Sequence, residues 1–234
     1  MKTSFWTELF DLMSPRTCAI CGDRLSANEQ VICATCHLHL PLTRYELSPL
    51  DNPMARLFWG RFPVEKAAAL FFYEPKSATS RLIYEMKYHG MPEVAEAMGE
   101  LLANHFCRSA FFEDIDALVP MPITRRRKWQ RGYNQSQELA RGISSMTAIP
   151  IYNNVLRRQH FSQSQTTQHA WERIVNVDGA FCLTAGGPDR IAGKHVLLVD
   201  DIVTTGATIT ACGRELAKVP GVSISILSVG LTKS

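Results

Sequence analysis

The stretch Val196–Thr208, VLLVDDIVTTGAT, runs four apolar residues into two adjacent aspartates and then into threonines around one glycine. The apolar run reads as a strand buried on both faces, and the turn after it leads into a helical pattern. Burying one carboxylate costs several kcal/mol, and two side by side also repel, so something must compensate Asp200 and Asp201. In open α/β sheets, ligands sit just outside the carboxyl ends of the strands, where this pair lies. Gly206 allows close approach of the backbone to an anion. Thr204, Thr205, Ala207 and Thr208 leave N–H groups and hydroxyls free at a helix start, whose dipole carries about half a positive charge. This is a monophosphate cradle, not a Walker A loop, because no GxxxxGK[ST] is present. Carboxylates beside a phosphate are tolerable when hydroxyls lie between them, as the 2′ and 3′ hydroxyls of a ribose 5-phosphate would.

Outward from this point, strands and helices alternate. AAALFFYE (67–74), DALVPMP (116–122), KHVLLVDD and VSISILSVGL (222–231) read as strands. Helical spacing runs through 80–106 with a break near Gly90–Pro92, through NQSQELARGISSM (134–146), and through ITACGRELAKV (209–219). The pattern predicts an α/β fold, a mainly parallel twisted sheet with flanking helices, joined to a small N-terminal zinc-knuckle module. Residues 1–40 are expected to hold an amphipathic N-terminal helix (Phe5, Trp6, Leu9, Phe10, Met13) and the cysteine module. Residues 41–65, with Pro41, Pro49, Pro53 and Pro63, read as a surface-crossing linker or hood in which Phe58, Trp59 and Phe62 are base-stacking candidates. Residues 66–234 form the main domain. The polar, glutamine-rich segment 157–179 is too long for an ordinary connection and reads as a lid.

The chain has 234 residues, 46% of them hydrophobic, and a net charge of +3. That suffices for a sizeable core and gives no global electrostatic case for nucleic acid. No apolar run reaches the ~20 residues of a membrane span, and Glu8 and Asp11 interrupt any signal-peptide pattern. The expected location is cytoplasmic. Of seven cysteines, Cys18, Cys21, Cys33 and Cys36 form two C-x-x-C knuckles, whose thiolates would close a tetrahedral structural zinc site. Four ligands leave no open position for catalysis; His37 and His39 lie beside the last of them. Cys107, Cys182 and Cys212 sit in or beside apolar segments and read as core.

The segment VPMPITRRRKWQRGYNQS packs Arg125, Arg126, Arg127, Lys128 and Arg131 around Trp129. Three readings stay open for it: a solvated like-charged loop, a diphosphate site, or a single-stranded nucleic-acid contact in which arginines track phosphates and aromatics stack on bases.

VLLVDDIVTTGAT resembles the phosphoribosyl pyrophosphate (PRPP) signature of type I phosphoribosyltransferases. CAICG…CATC, LIYEMKYHG, VPMPITRRRKWQRGYNQSQELA and LRRQHFSQSQTTQ…R…NVDGAF resemble the ComF family, competence-associated proteins with a zinc module joined to a phosphoribosyltransferase domain. The resemblance implies that Asp200 and Asp201 bind the ribose diol and act catalytically, and that Thr204–Thr208 hold the 5′-phosphate. Lys87, Met121, Pro122, Arg125, Arg126, Arg131, Arg158 and Arg173 are implied as contacts of the diphosphate or of nucleic acid, although Lys87 also fits a solvent-exposed helix end and Arg173 a surface position. It further implies Mg²⁺ with PRPP, structural Zn²⁺, and a link to DNA uptake with single-stranded DNA and a competence helicase as partners. Two functions follow: transfer of phosphoribose to an unidentified acceptor, or a non-catalytic module gated by PRPP that binds single-stranded DNA or a protein.

Overall fold

A computed structural model describes residues 16–88, 91–159 and 179–233. The N-terminal helix pattern, Arg173 and most of the 157–179 segment lie outside these residues. Among them the elements are α1 (Ala34–Leu38), α2 (Pro53–Arg56), β1 (Ala67–Tyr73), α3 (Ala78–Tyr88), α4 (Pro92–Phe106) and β2 (Ala117–Pro120). There follow α5 (Arg125–Arg131), α6 (Gln135–Thr147), β3 (Leu156–Arg158), β4 (Phe181–Leu183), α7 (Gly187–Ile191), β5 (His195–Val203), α8 (Ala207–Leu216) and β6 (Ser223–Thr232).

Four strands form one parallel sheet in the order β1-β6-β5-β2. Parallel pairing needs crossovers that cover both faces, and the side chains obey that geometry. On β5, Leu197 and Val199 join a core with Leu82, Met98 and Leu139 from α3, α4 and α6. Val196 and Leu198 join a second core with Phe58, Phe62 and the α8 residues Ile209, Cys212 and Leu216. Both carboxyl ends of the central strands therefore open on the same side, between two layers of helices. Helix α6 lies close against α4, because a Cβ on Gly142 would collide with the Glu96 carbonyl oxygen. This approach fixes the start of α6 beside the tip of β5.

Two readings of the sequence change. The segment 41–65 does not simply cross the surface. Pro41 and Thr43 pair with β1 through Phe72 N→Pro41 O (2.8 Å) and Thr43 N→Leu70 O (3.0 Å), and Met54, Ala55, Phe58 and Phe62 are buried. Phe58 and Phe62 thus serve the core, while Trp59 is half exposed. The basic segment is a helix rather than a loop. Thr124 caps it by accepting from Arg127 N–H (3.2 Å), and Gly132 closes it in the left-handed region at φ 83°. These caps offset the repulsion of four neighbouring cations. No helix among the described residues is long and apolar enough to cross a membrane.

Candidate functional site

Asp200 and Asp201 fall inside β5, one pair past the end of β2. The chain answers their repulsion from several directions. The Asp200 Oδ1 accepts from Asp201 N–H (2.9 Å) and from the Ser136 hydroxyl (3.3 Å) at the start of α6. Asp201 Oδ1 accepts from Ile202 N–H (2.7 Å), and its Oδ2 meets Lys87 Nζ at 2.9 Å. Lys87, on the last turn of α3, is thus not an exposed helix-end lysine. It is the counter-ion of the acidic pair. Compensation is incomplete for Asp200: burial, and then the charge of Asp201, push its carboxyl up to about 7.

Past the aspartates the chain turns through exposed Thr204 and Thr205 into buried Gly206, which caps α8 with φ +73°. The left-handed turn swings the chain from strand direction into helix direction in three residues. The Thr205 hydroxyl accepts weakly from Ala207 N–H (3.4 Å), while Ala207 and Thr208 open α8. N–H groups at a helix start have no intrahelical partner and favour an anion.

A cleft of about 770 Å³ lies at the tip of β2, where Pro120 pairs with Val199 of β5; it is lined by Pro120, Pro122, Ile123, Arg125, Lys128, Asn134, Arg157 and Arg158 among others. Met121 N–H bonds Val199 O (2.9 Å) and Asn134 Nδ2 donates to Met121 O (3.0 Å), so the β2–α5 connection is pinned between β5 and α6. Met121 is buried, and its backbone N–H and carbonyl are both engaged in these bonds. Arg158, half-buried with its guanidinium 5.2 Å from the Phe181 ring centre, is held below the usual arginine range by burial and by Arg127; Asp200 acts in the opposite direction. The cleft therefore gathers Arg125, Arg158 and Pro122 of the expected contacts. Among the described residues it does not gather Lys87, Met121, Arg126 or Arg131. Arg131 donates to Gln135 Oε1 (2.9 Å) and stacks on Tyr88 (5.3 Å), and Arg126 is exposed on α5 beside Trp129, which is 86% exposed.

Sequence reasoning missed the β3–β4 hairpin that presents Arg157 and Arg158, because three-residue strands carry too little alternation to read. It also missed Ser136; the Asn134 cap that places it, accepting from Ser136 N–H (3.2 Å), was the available signal.

At the other end of the chain, the sulfurs of Cys18, Cys21, Cys33 and Cys36 all lie within 4.8 Å of one another. Cys21 and Cys33 are 3.8 Å apart, about the edge of a tetrahedron with ~2.3 Å metal–sulfur bonds. Backbone N–H groups of Ile20 and Cys33 point at Cys18 Sγ (3.5 and 3.3 Å), and Cys36 N–H points at Cys33 Sγ (3.4 Å). Donors aimed at sulfur stabilise thiolates, so this four-thiol set fits a soft or borderline metal ion. The module is packed onto the main domain: Arg81 of α3 donates to Ile20 O (2.6 Å), and Cys18, Ile20 and Val31 share the core of α3 and α4.

The family description "phosphoribosyl transferase domain" matches residues 130–229, which hold α6, β5, the aspartates and the turn. The chain is 28% identical over 209 residues to the DNA utilization protein YhgH of Escherichia coli (strain K12), covering 86% of this chain and 84% of that protein. It is 35% identical over 103 residues to Competence protein F of Haemophilus influenzae, 44% of each. Over 148 residues it is 26% identical to Competence protein ComFC of Bacillus subtilis (strain 168), covering 63% of this chain and 57% of that one.

Proposed function

Because the chain belongs to the ComF family and carries a phosphoribosyl transferase domain, we propose that the cleft at the tips of β2 and β5 binds PRPP in a cell's handling of DNA. The 5′-phosphate occupies the Thr204–Thr208 turn, and the ribose 2′ and 3′ hydroxyls bridge Asp200 and Asp201. The diphosphate lies toward Arg158 and Arg125. What supports the reading is an acidic pair on β5 that runs into an anion-accepting turn, next to a strand, β2, whose tip opens on a cleft lined by Arg125 and by Arg158, whose charge interacts with that of Asp200. A ligand with hydroxyls between a phosphate and a diphosphate would match all three.

The carboxylates suit a hard cation, and Mg²⁺ held there with the ligand would neutralise charge on the diphosphate. The protein's own groups do the rest. As the bond from C1 to the diphosphate oxygen breaks, its electron pair leaves with diphosphate, where Arg158 and Lys128 stabilise the charge. Asp200 and Asp201 favour the positive charge developing at C1. An acceptor nitrogen then closes the new bond with its lone pair and gives up its proton to solvent. The same geometry serves a protein that senses PRPP without turnover, and release of diphosphate on mixing with PRPP and candidate bases separates the two.

Binding itself is tested by melting. PRPP with Mg²⁺ at a hundredfold excess over Kd is expected to stabilise the protein by ~2–3 kcal/mol, and Asp200→Asn with Asp201→Asn to abolish that gain. A double variant that keeps the full shift refutes the diol assignment. The cysteine cluster holds structural Zn²⁺ in this reading, on the strength of its four-sulfur donor set. A second reading, contact with single-stranded DNA, is favoured by the exposed α5 face, where Arg126 lies near solvent-exposed Trp129.

A further inference from the structure

The segment from α2 to Phe62 lies upstream of the matched domain, yet it packs against the turn and the helix α8 that follows it. Phe58 presses on Gly206, where an added Cβ would meet Phe58 Cε1 at 2.8 Å. The Phe62 ring lies 2.5–2.6 Å from where a Cβ on Gly213 of α8 would stand. Between them, Arg61 Nη1 donates to Thr205 O (3.2 Å), and the Arg61 carbonyl accepts from Arg214 Nε of α8 (3.2 Å). The remaining question is why an exposed arginine spans 144 residues to reach a carbonyl oxygen of this turn.

The Thr205–Gly206 peptide is trans, so its C=O and N–H point in opposite directions. A guanidinium on the carbonyl therefore fixes where the Gly206 N–H points, and it polarises that N–H as a donor. We infer that Arg61 is a positioning residue of the phosphate cradle. It holds the Thr205–Gly206 peptide with its N–H turned to the anion, while Phe58 supports Gly206 from behind. The inference rests on the phosphate reading of the turn and adds that affinity for the phosphoryl end depends on a residue outside the matched domain. Without Arg61 the peptide is free to flip, which places a carbonyl oxygen against the phosphate.

Calorimetric titration with two separate probes, ribose 5-phosphate and inorganic diphosphate, tests this on the full chain. Arg61→Ala is expected to weaken ribose 5-phosphate binding about tenfold, the scale of one charge-assisted hydrogen bond. Diphosphate affinity and melting temperature should stay at the wild-type values, since Arg61 is exposed and is not among the residues that line the arginine-rich cleft. Arg61→Lys should recover part of the loss, because an ammonium also donates to a carbonyl. An Arg61→Ala protein that binds ribose 5-phosphate as tightly as wild type overturns the inference and leaves the cradle standing. So does equal weakening of both probes, which indicates a general defect. Wild-type protein that fails to bind ribose 5-phosphate at all removes the cradle reading, and this inference with it.

Discussion

Asp200→Asn should make the unliganded protein more stable at neutral to alkaline pH. The wild-type carboxyl titrates near 3.8 when unfolded and near 7 when folded, chiefly through burial and then the charge of Asp201. Between those values the unfolded chain has released its proton and the native state has not, so native stability falls as pH rises. The contribution is fully present below pH 3.8 and is lost once pH has passed about 7. At 1.36 kcal/mol per unit the whole window amounts to about 4 kcal/mol, and the part between pH 5.5 and 8 to about 2 kcal/mol. Asparagine keeps the side-chain oxygen that accepts from Asp201 N–H and the Ser136 hydroxyl and carries no charge at any pH. Urea unfolding at pH 5.5 and 8, with metal content matched, provides the assay. The difference between variant and wild type should widen by about 2 kcal/mol toward pH 8. Titrating groups remote from Asp200 cancel in that difference. The same substitution should abolish stabilisation by PRPP, so the aspartate lowers stability for the sake of the ligand. A variant less stable than wild type at pH 8, or a difference that does not change with pH, refutes the reasoning.

Two further outcomes are expected. One equivalent of zinc should accompany the wild-type protein, and Cys18→Ser with Cys36→Ser should remove it. The double variant should also lower the melting temperature, because the module shares a core with α3 and α4; metal-replete protein without zinc by elemental analysis refutes the assignment. If α5 meets single-stranded DNA, log–log affinity against salt should slope at roughly −0.7 per phosphate contacted. Arg126→Ala with Arg127→Ala should flatten that slope, and Trp129→Ala should weaken binding with the slope intact; anisotropy without any salt dependence in wild type removes the nucleic-acid reading.

Much of the architecture was legible because it depends on local pattern. An apolar run such as Val196–Val199 can only be a strand covered on both faces, and alternation with helical spacing makes the sheet parallel. The cysteine cluster was legible for the same reason, since C-x-x-C spacing alone brings two sulfurs together, and the structure then brings the two knuckles within reach of each other. The acidic pair and its turn were legible as a pattern of residues that would be too costly without a ligand.

What the sequence could not disclose were contacts between residues far apart in the chain, which only packing creates. Lys87 read equally as a solvated helix end or a phosphate contact. The fold makes it the counter-ion of Asp201, because the last turn of α3 ends within side-chain reach of β5. The arginines of 125–131 looked equivalent along the chain, but a capped helix divides them. Arg125 reaches the cleft, Arg131 turns to Tyr88 and Gln135, and Arg126 stays in solvent, since successive helical residues are about 100° apart. The proline-punctuated 41–65 segment lacked a period because it is neither strand nor long helix. Its aromatic residues found their places behind Gly206 and Gly213 only when the sheet had brought residues more than a hundred positions away against them. Periodicity reports which face of an element is buried; it carries no information on what will bury it.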